Sequence, residues 1–434
     1  MACCVHHVEI GVKNGLCALK KLTNSFPFKV IATRQAEEFR QWVVRTGSAM
    51  FLLTEPLESR VSSESDVSWD RCLRNHEYIS NWSENINQST RSISKKKAVD
   101  SVFNIALEVK EVERMVERVA RFGGKVVRPP RQVENEHGTV TYATVKSVVG
   151  NINHTLINSS EYSGVFLPGF KSESENVSVD MQSNHMLSHF DHVTYACPMG
   201  VSNQVLKWYE DCFGMERFLI NSDEDRSEGF LVEGNDVGMR LMAMEYWKCA
   251  ETGVSYPCAK VNSLKIVVAE PLPGQGPNQV ETFLEQHDGP GVQHIGLHTG
   301  DIISSSQLLR DRGVVFLKPP PAYYSKLGKL AEIEKLGMDA KRLQECGVLV
   351  DDEADAGQHV ENCNRMGVRY LLQMFTRPIF KEDTFFIEII QRCGATGFGA
   401  GNIRALWRSV QAFLDEKTHV TAQKEEISST EQKS

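Results

Sequence analysis

The chain has 434 residues, 41% of them hydrophobic and 24% charged, a composition that supports two packed domains of ordinary size. A formal net charge of −8, with Lys95-Lys96-Lys97 as the longest basic block, argues against nucleic acid as a partner, because phosphate binding needs clustered positive charge. No stretch of about 18 consecutive apolar residues occurs, which argues against a transmembrane span, and eleven cysteines without CxxC spacing fit free thiols better than a disulfide framework.

From the N-terminus, Met1 to Phe28 has no apolar core followed by a small-residue cleavage site, which disfavours secretion. Lys13, Lys20 and Lys21 against the single acid Glu9 hint at mitochondrial import, but His7 to Val12 already reads as a strand of the fold. A polar insertion follows over about 58–98. Next come a strand at Asn104 to Leu107, a helix over Val112 to Phe122, Gly123-Gly124, and the pair Pro129-Pro130. Val140 to Val149 reads as a half-buried strand, and the polar stretch 170–188 as a linker. The same order then returns: a strand at His192 to Tyr195, another at Gly291 to Leu297, a helix over Ile302 to Arg312, Gly313, and Pro319-Pro320. A polar stretch at 351–366, strands at Tyr370 to Thr376 and Phe385 to Ile390, and a polar tail after 416 complete the chain. A repeat of half the chain predicts two copies of one module, each of strands with a crossing helix.

Chemistry concentrates in the second copy. His192 and His294 each lie in an apolar strand, and Glu388 sits inside Phe385-Phe386-Ile387-Glu388-Ile389-Ile390. An ionised carboxylate buried without a partner costs several kcal/mol, so a cation is expected to meet it. Taken singly, each of these residues is as readily a hydrogen-bonded core group. Together, two His and one carboxylate form the facial triad of non-haem Fe(II) oxygenases, which leaves coordination positions open. In the first copy the matching positions read as His7, Asn104 and, approximately, Leu156, which predicts a metal-free module. Two decoys are set aside. His185, His189 and His192 have helical spacing but run into a strand. Gly397-Phe398-Gly399-Ala400-Gly401-Asn402 imitates a dinucleotide loop without its third glycine or a following βαβ unit.

The strings GVQHIGL (291–297), YLLQMFT (370–376), FFIEIIQR (385–392) and GFGAGN (397–402) resemble the 4-hydroxyphenylpyruvate dioxygenase family. YSGVFLPGF (162–170) and the run 382–410 resemble its dioxygenase-like branch. The resemblance implies an α+β fold of two tandem vicinal-oxygen-chelate modules of βαβββ type, each an open sheet barrel. It implies a structural module over 1–165, a catalytic module over 185–416 and a tail over 417–434. It further implies Fe(II) as the cofactor, held by His192, His294 and Glu388, with a 2-oxo acid and O2 as substrates. Carried over residue by residue, Phe375 and Phe398 would sandwich the substrate ring. Gln279, Gln293, Gln373, Phe386, Asn402 and Ile403 would line the same pocket.

Departures from the family pattern bear on the product. Ala269 stands where the dioxygenase has Asn, Val267 where it has Pro, Ile403 where it has Phe, and Leu241 or Met242 near its pocket Ser. A smaller, more apolar wall removes a polar grip on the phenol, and Ile403 is also what 4-hydroxymandelate synthases carry. The expectation is therefore benzylic hydroxylation of 4-hydroxyphenylpyruvate to 4-hydroxymandelate. The resemblance itself implies a mitochondrial location, with cytoplasm as the alternative, supply of the product towards the ubiquinone ring, and the homodimer usual in the family. The rival readings are homogentisate formation, a glyoxalase-like or ring-cleaving enzyme on the same fold, and a non-catalytic binding module.

Overall fold

A computed structural model describes residues 2–37, 39–57, 99–173, 186–220, 224–233, 238–246, 264–274, 278–325, 329–353 and 369–405. The insertion at 58–98, most of the 351–366 stretch and the tail lie outside the described residues.

The first half builds β1 (Ala2–Gly11), α1 (Gly15–Lys20), β2 (Lys29–Gln35), β3 (Phe39–Thr46), β4 (Ala49–Pro56) and β5 (Ser101–Val109). It continues with α2 (Val112–Arg121), β6 (Val126–Asn135), β7 (Gly138–Lys146), β8 (Asn153–Tyr162) and the short β9 (Lys171–Ser172). The second half begins with β10 (Phe190–Ala196), α3 (Ser202–Phe213), β11 (Met215–Phe218), β12 (Phe230–Glu233), β13 (Gly238–Tyr246) and β14 (Lys265–Pro271). Then come α4 (Gln279–His287), β15 (Gly291–His298), α5 (Ile302–Asp311), α6 (Pro321–Ser325), α7 (Lys329–Lys335) and α8 (Ala340–Cys346). The last strands are β16 (Leu349–Asp352), β17 (Tyr370–Phe375) and β18 (Phe386–Cys393), followed by helical backbone over 400–405.

Both halves form one topology. The first sheet runs β6-β7-β8-β5-β1-β4-β3-β2-β9, the second β11-β13-β14-β10-β15-β18-β17-β16 with β12 beside β13. In each sheet the opening strand lies antiparallel to the strand that opens the second βαβββ unit, β1 to β5 and β10 to β15. That second strand runs parallel to the last strand of its own unit, β8 or β18. The first sheet extends past residue 165, because β9 pairs with β2.

Period-two alternation sorts every strand into two faces. Val8, Ile10, Phe51 and Leu53 of the first sheet share one core with Val193, Tyr195, Ile387 and Ile389 of the second. The sheets therefore pack back to back across this core, and the opposite faces curl away from it. In the first curl, Phe166, Leu167 and Phe170 fold in from the segment after β8 and pack on Val43, Leu52 and Ala106. The second curl is lined by Ala196, Leu241, Ala243, Val267 and Ala269, with Phe398 and Ile403 packed against them.

The register corrects one expected equivalence. His192 lies opposite Gly296, and Gly296 opposite Glu388. In the first sheet His7 lies opposite Ala106, and the pairs Asn104 with Asn153 and Leu107 with Leu156 bracket Ala106 opposite Thr155. The counterpart of Glu388 is thus Thr155 and not Leu156, a one-residue slip that would put the side chain on the wrong face.

Candidate metal centre

Three strands that are adjacent in the sheet, β10, β15 and β18, each contribute one side chain to the same face. His192, His294 and Glu388 bring their ligand atoms within 4.8 Å of one another. Glu388 Oε2 lies 3.2 Å from His192 Nε2 and 3.5 Å from His294 Nε2. All three groups are buried or nearly so.

The other atom of each group is already engaged. His192 Nδ1–H donates to Asp191 Oδ1 at 2.8 Å, and His294 Nδ1–H to Gln293 Oε1 at 3.2 Å. Glu388 Oε1 accepts from Gln373 Nε2 at 2.9 Å. With their protons on Nδ1, both imidazoles present a lone pair on Nε2, and the third lone pair is that of Glu388 Oε2. In that neutral form three acceptors converge, and among the described residues no other donor lies between them, which fits a cation; two His with one carboxylate suit Fe(II). In the chain without an ion, the same carboxylate instead holds a proton on His192. Burial by itself raises the Glu388 carboxyl, but His192 and His294 outweigh it and hold it down at about 2. Burial lowers the His192 imidazole, and Glu388 and Asp191 reverse this and lift it to about 9.

Asp191 is itself fixed. Arg392 Nε donates to its Oδ2 and Nη2 to its Oδ1, both at 2.7 Å, a bidentate grip that orients the carboxylate toward His192. Burial pushes the Asp191 carboxyl up, and the Arg392 guanidinium overrides it and keeps it well below the usual carboxylate range. Such a carboxylate–histidine pair sets the tautomer and the ring plane of a ligand. Sequence reading missed both residues. The available signal was their placement, Asp191 directly before one candidate ligand, His192, and Arg392 four residues after another, Glu388, on the same face of its strand.

The residues expected to line a substrate pocket divide into groups. Phe398 meets His192 edge-on at 5.4 Å, and Phe375 lies 6.3 Å from His294, so one ring stands beside each histidine. Phe386 stacks on His294 at 4.7 Å. Gln293 and Gln373 are buried, but their amides serve metal-site groups: Gln293 holds His294, and Gln373 holds Glu388 and the Phe398 carbonyl. Asn402 Nδ2 donates to Gln373 Oε1 at 2.8 Å. Ile403 lies on the apolar wall of the curl. Gln279 is exposed on the first turn of α4, with Met239 Sδ 4.0 Å from its amide. Leu241 faces the curl opposite Ala269, whereas Met242 points to the other side.

Among the described residues, one buried polar atom on this face lacks a hydrogen-bond partner. Thr194 lies opposite His294 and two residues from His192, and its hydroxyl is buried without a hydrogen bond. Glu270, beside Ala269, is committed elsewhere: it accepts from the backbone of Val201 and Ser202 at the start of α3 and from Arg240.

The glycine-rich loop closes over the centre with its amides on carboxylates, the reverse of a phosphate cradle. Gly397 N donates to Glu353 and Gly401 N to Asp351. A Cβ at Gly399 would lie 2.0 Å from Gln373 Oε1, and one at Gly401 2.0 Å from Asp351 Oδ1. These glycines are present for close approach to polar side chains. The decoy histidines also separate: His192 is in a strand, His189 stacks on His298, and His185 lies outside the described residues.

No family profile matches the chain. It is 34% identical over 409 residues to the human 4-hydroxyphenylpyruvate dioxygenase-like protein, covering 93% of this chain and 95% of that one. It is 29% identical to the 4-hydroxyphenylpyruvate dioxygenase of Neurospora crassa, over 93% of this chain and 90% of that one. Among solved structures, a variant of 4-hydroxymandelate synthase from Streptomyces coelicolor superposes with a TM-score of 0.68 at 25% identity, covering 94% of this chain and 98% of that one. The chain belongs to the 4-hydroxyphenylpyruvate dioxygenase family.

Proposed function

We propose that the protein is an Fe(II)-dependent dioxygenase that converts 4-hydroxyphenylpyruvate and O2 to 4-hydroxymandelate and CO2. The observation that carries this reading is the convergence of His192 Nε2, His294 Nε2 and Glu388 Oε2 at the mouth of an apolar curl. Fe(II) held there would keep positions free for a chelating 2-oxo acid and for O2, and would relay to O2 the electrons that oxidation of the substrate provides.

The protein's own part is orientation and the exclusion of water. With the ion in place of the His192 proton, Asp191 and Gln293 would hold both imidazoles as neutral ligands through Nε2. Phe375 and Phe398 flank the histidines and would hold the substrate ring between them, contributing about 0.5–1.5 kcal/mol beyond burial. The wall they face is Ala196, Leu241, Ala243, Val267, Ala269 and Ile403, which offers the phenol no hydrogen bond. A ring held only by stacking and shape can present its benzylic carbon to the metal, and this favours 4-hydroxymandelate over homogentisate. The likeness to 4-hydroxymandelate synthase supports the same product. A mitochondrial location and a role in ubiquinone ring synthesis belong to this proposal too.

The two products are isomers, so the test must separate them chromatographically before mass analysis. Fe(II)-loaded protein is mixed anaerobically with 4-hydroxyphenylpyruvate and then given O2. Oxygen-dependent 4-hydroxymandelate, absent in Glu388→Ala, is the expected result, and Ile403→Phe should divert part of the flux to homogentisate. Homogentisate from the unaltered protein would overturn the product reading, and no turnover with iron bound would overturn the substrate.

A further inference from the structure

A single chain of hydrogen bonds leads away from the metal-facing carboxylate. Gln373 Nε2 donates to Glu388 Oε1 at 2.9 Å, and Asn402 Nδ2 donates to Gln373 Oε1 at 2.8 Å. Tyr323 Oη donates to Asn402 Oδ1 at 2.7 Å, and the Tyr323 oxygen accepts from Val350 N at 2.9 Å. Every side chain in the series is buried.

The direction of this chain is fixed at its far end. Val350 N–H can only donate, so Tyr323 must accept from it and send its one proton onward. The Val350 carbonyl lies at 3.1 Å and Asn402 Oδ1 at 2.7 Å, so the proton goes to Asn402. Asn402 then has its oxygen toward Tyr323 and its NH2 toward Gln373. Gln373 takes the matching sense, with its oxygen held by the Asn402 NH2 and its own NH2 toward two acceptors, Glu388 Oε1 and the Phe398 carbonyl. The amide occupies Oε1 and leaves Oε2 for the two histidines.

We propose that Tyr323 is a positioning residue for the metal site, acting through Asn402 and Gln373 to present Glu388 by one oxygen only. This rests on the reading of the triad as a metal centre. Without the Tyr323 hydroxyl, Asn402 is free to rotate its amide, the Gln373 oxygen loses its fixed donor, Gln373 is held less firmly against Glu388, and Oε1 can swing toward the ion as a second ligand. The helix that starts at Ala400 carries Asn402, so this chain also ties that helix to the centre.

Tyr324 provides the control. It is the next residue, is buried against Tyr323 at 4.8 Å, and donates to a backbone carbonyl of the same segment, Val348 O at 3.0 Å. Among the described residues, no hydrogen-bond link to the triad runs through it. The experiment is anaerobic titration with Fe(II), and with Co(II) as a spectroscopic probe, of the full-length protein and of Tyr323→Phe, Tyr324→Phe, Asn402→Ala and the Tyr323→Phe/Asn402→Ala double variant. Tyr323→Phe should lose about ten- to a hundredfold in metal affinity and shift the Co(II) visible bands toward a higher coordination number. Tyr324→Phe should keep both within about twofold. The double variant should be no weaker than Asn402→Ala alone, as members of one chain require. Metal affinity and spectrum unchanged in Tyr323→Phe, or equal losses in both tyrosine variants, would refute the positioning role while leaving the metal centre intact. If the unaltered protein binds neither ion, the metal reading and this inference fall together.

Discussion

Gly296 faces the edge of the His192 ring across the β10–β15 pair, where a Cβ would lie 2.4 Å from Cε1. Gly296→Ala should therefore push the ring out of line and lower Fe(II) affinity about tenfold or more, measured by anaerobic calorimetric titration; unchanged affinity would mean that the ring tolerates rotation. Thr194 makes the opposite kind of prediction. Its unpartnered hydroxyl costs about 1–3 kcal/mol in the folded chain, so Thr194→Val should hold or raise the melting temperature. If the hydroxyl bonds substrate, the same change should raise KM for 4-hydroxyphenylpyruvate about five- to tenfold. A variant equal to the parent in KM would remove Thr194 from the substrate site. The three triad residues were legible in sequence because a lone ionisable group in an apolar strand conflicts with its neighbours. Asp191, Arg392 and Tyr323 were not, since their meaning depends on partners that only folding brings near. Gln293 and Gln373 came from the family resemblance as pocket residues, whereas in the fold their amides hold His294 and Glu388.

The β8 strand and the α3 helix meet at one buried histidine. His154 Nδ1 lies 3.1 Å from the Ile105 carbonyl and Nε2 2.8 Å from Tyr209 Oη, and its ring stacks on Trp208. Burial lowers this imidazole from 6.5 to about 4, so it is neutral in the folded chain at pH 7. Because its folded value lies below its unfolded one, its share of stability is complete above about pH 6.5 and is lost as pH falls toward 4. The loss across that window is of order 3 kcal/mol. His154→Phe keeps the ring contacts and removes the titration, so urea midpoints taken from pH 7 to pH 4 should fall less steeply in the variant. Parallel slopes would assign the acid sensitivity to other buried histidines such as His6. At this scale the sequence was informative about strands and helices, as Val112–Arg121 and Ile302–Asp311 attest. Sequence reading placed β9 in the 170–188 linker, because two residues are too short to carry a pattern and this strand exists only by completing the edge of β2.

Across the whole molecule the two modules share one apolar core. Phe51 of the first lies 5.2 Å from Phe190 and 6.5 Å from Phe385 of the second, and all belong to or pack on the common cluster. A core that neither module owns cannot survive the unfolding of one of them. Scanning calorimetry of the metal-free protein should show one transition, with calorimetric and van't Hoff enthalpies in agreement. Two resolved transitions would show that each module is stable alone. The internal repeat made this duplication readable from sequence, but the back-to-back packing was not, because alternation marks both faces of a central strand as apolar without saying what covers each.

Each module ends by folding a phenylalanine into its own curl against the histidine of its first strand: Phe166 on His7 at 5.0 Å, Phe398 on His192 at 5.4 Å. The two closures are fastened differently. The first is sewn by backbone pairing of β9 with β2 and by Arg34 over Phe170 at 4.5 Å. The second is held by side-chain acceptors, Glu353 and Asp351, on the amides of Thr396, Gly397 and Gly401. Native-state hydrogen exchange reads that difference directly. Amides of 170–173 should exchange with the slow, global opening of the sheet, whereas those of 396–401 should exchange through a local opening many times faster and slow down once substrate is bound. The first module is then a vault sealed at folding, and the second a door that the same architecture leaves on a latch.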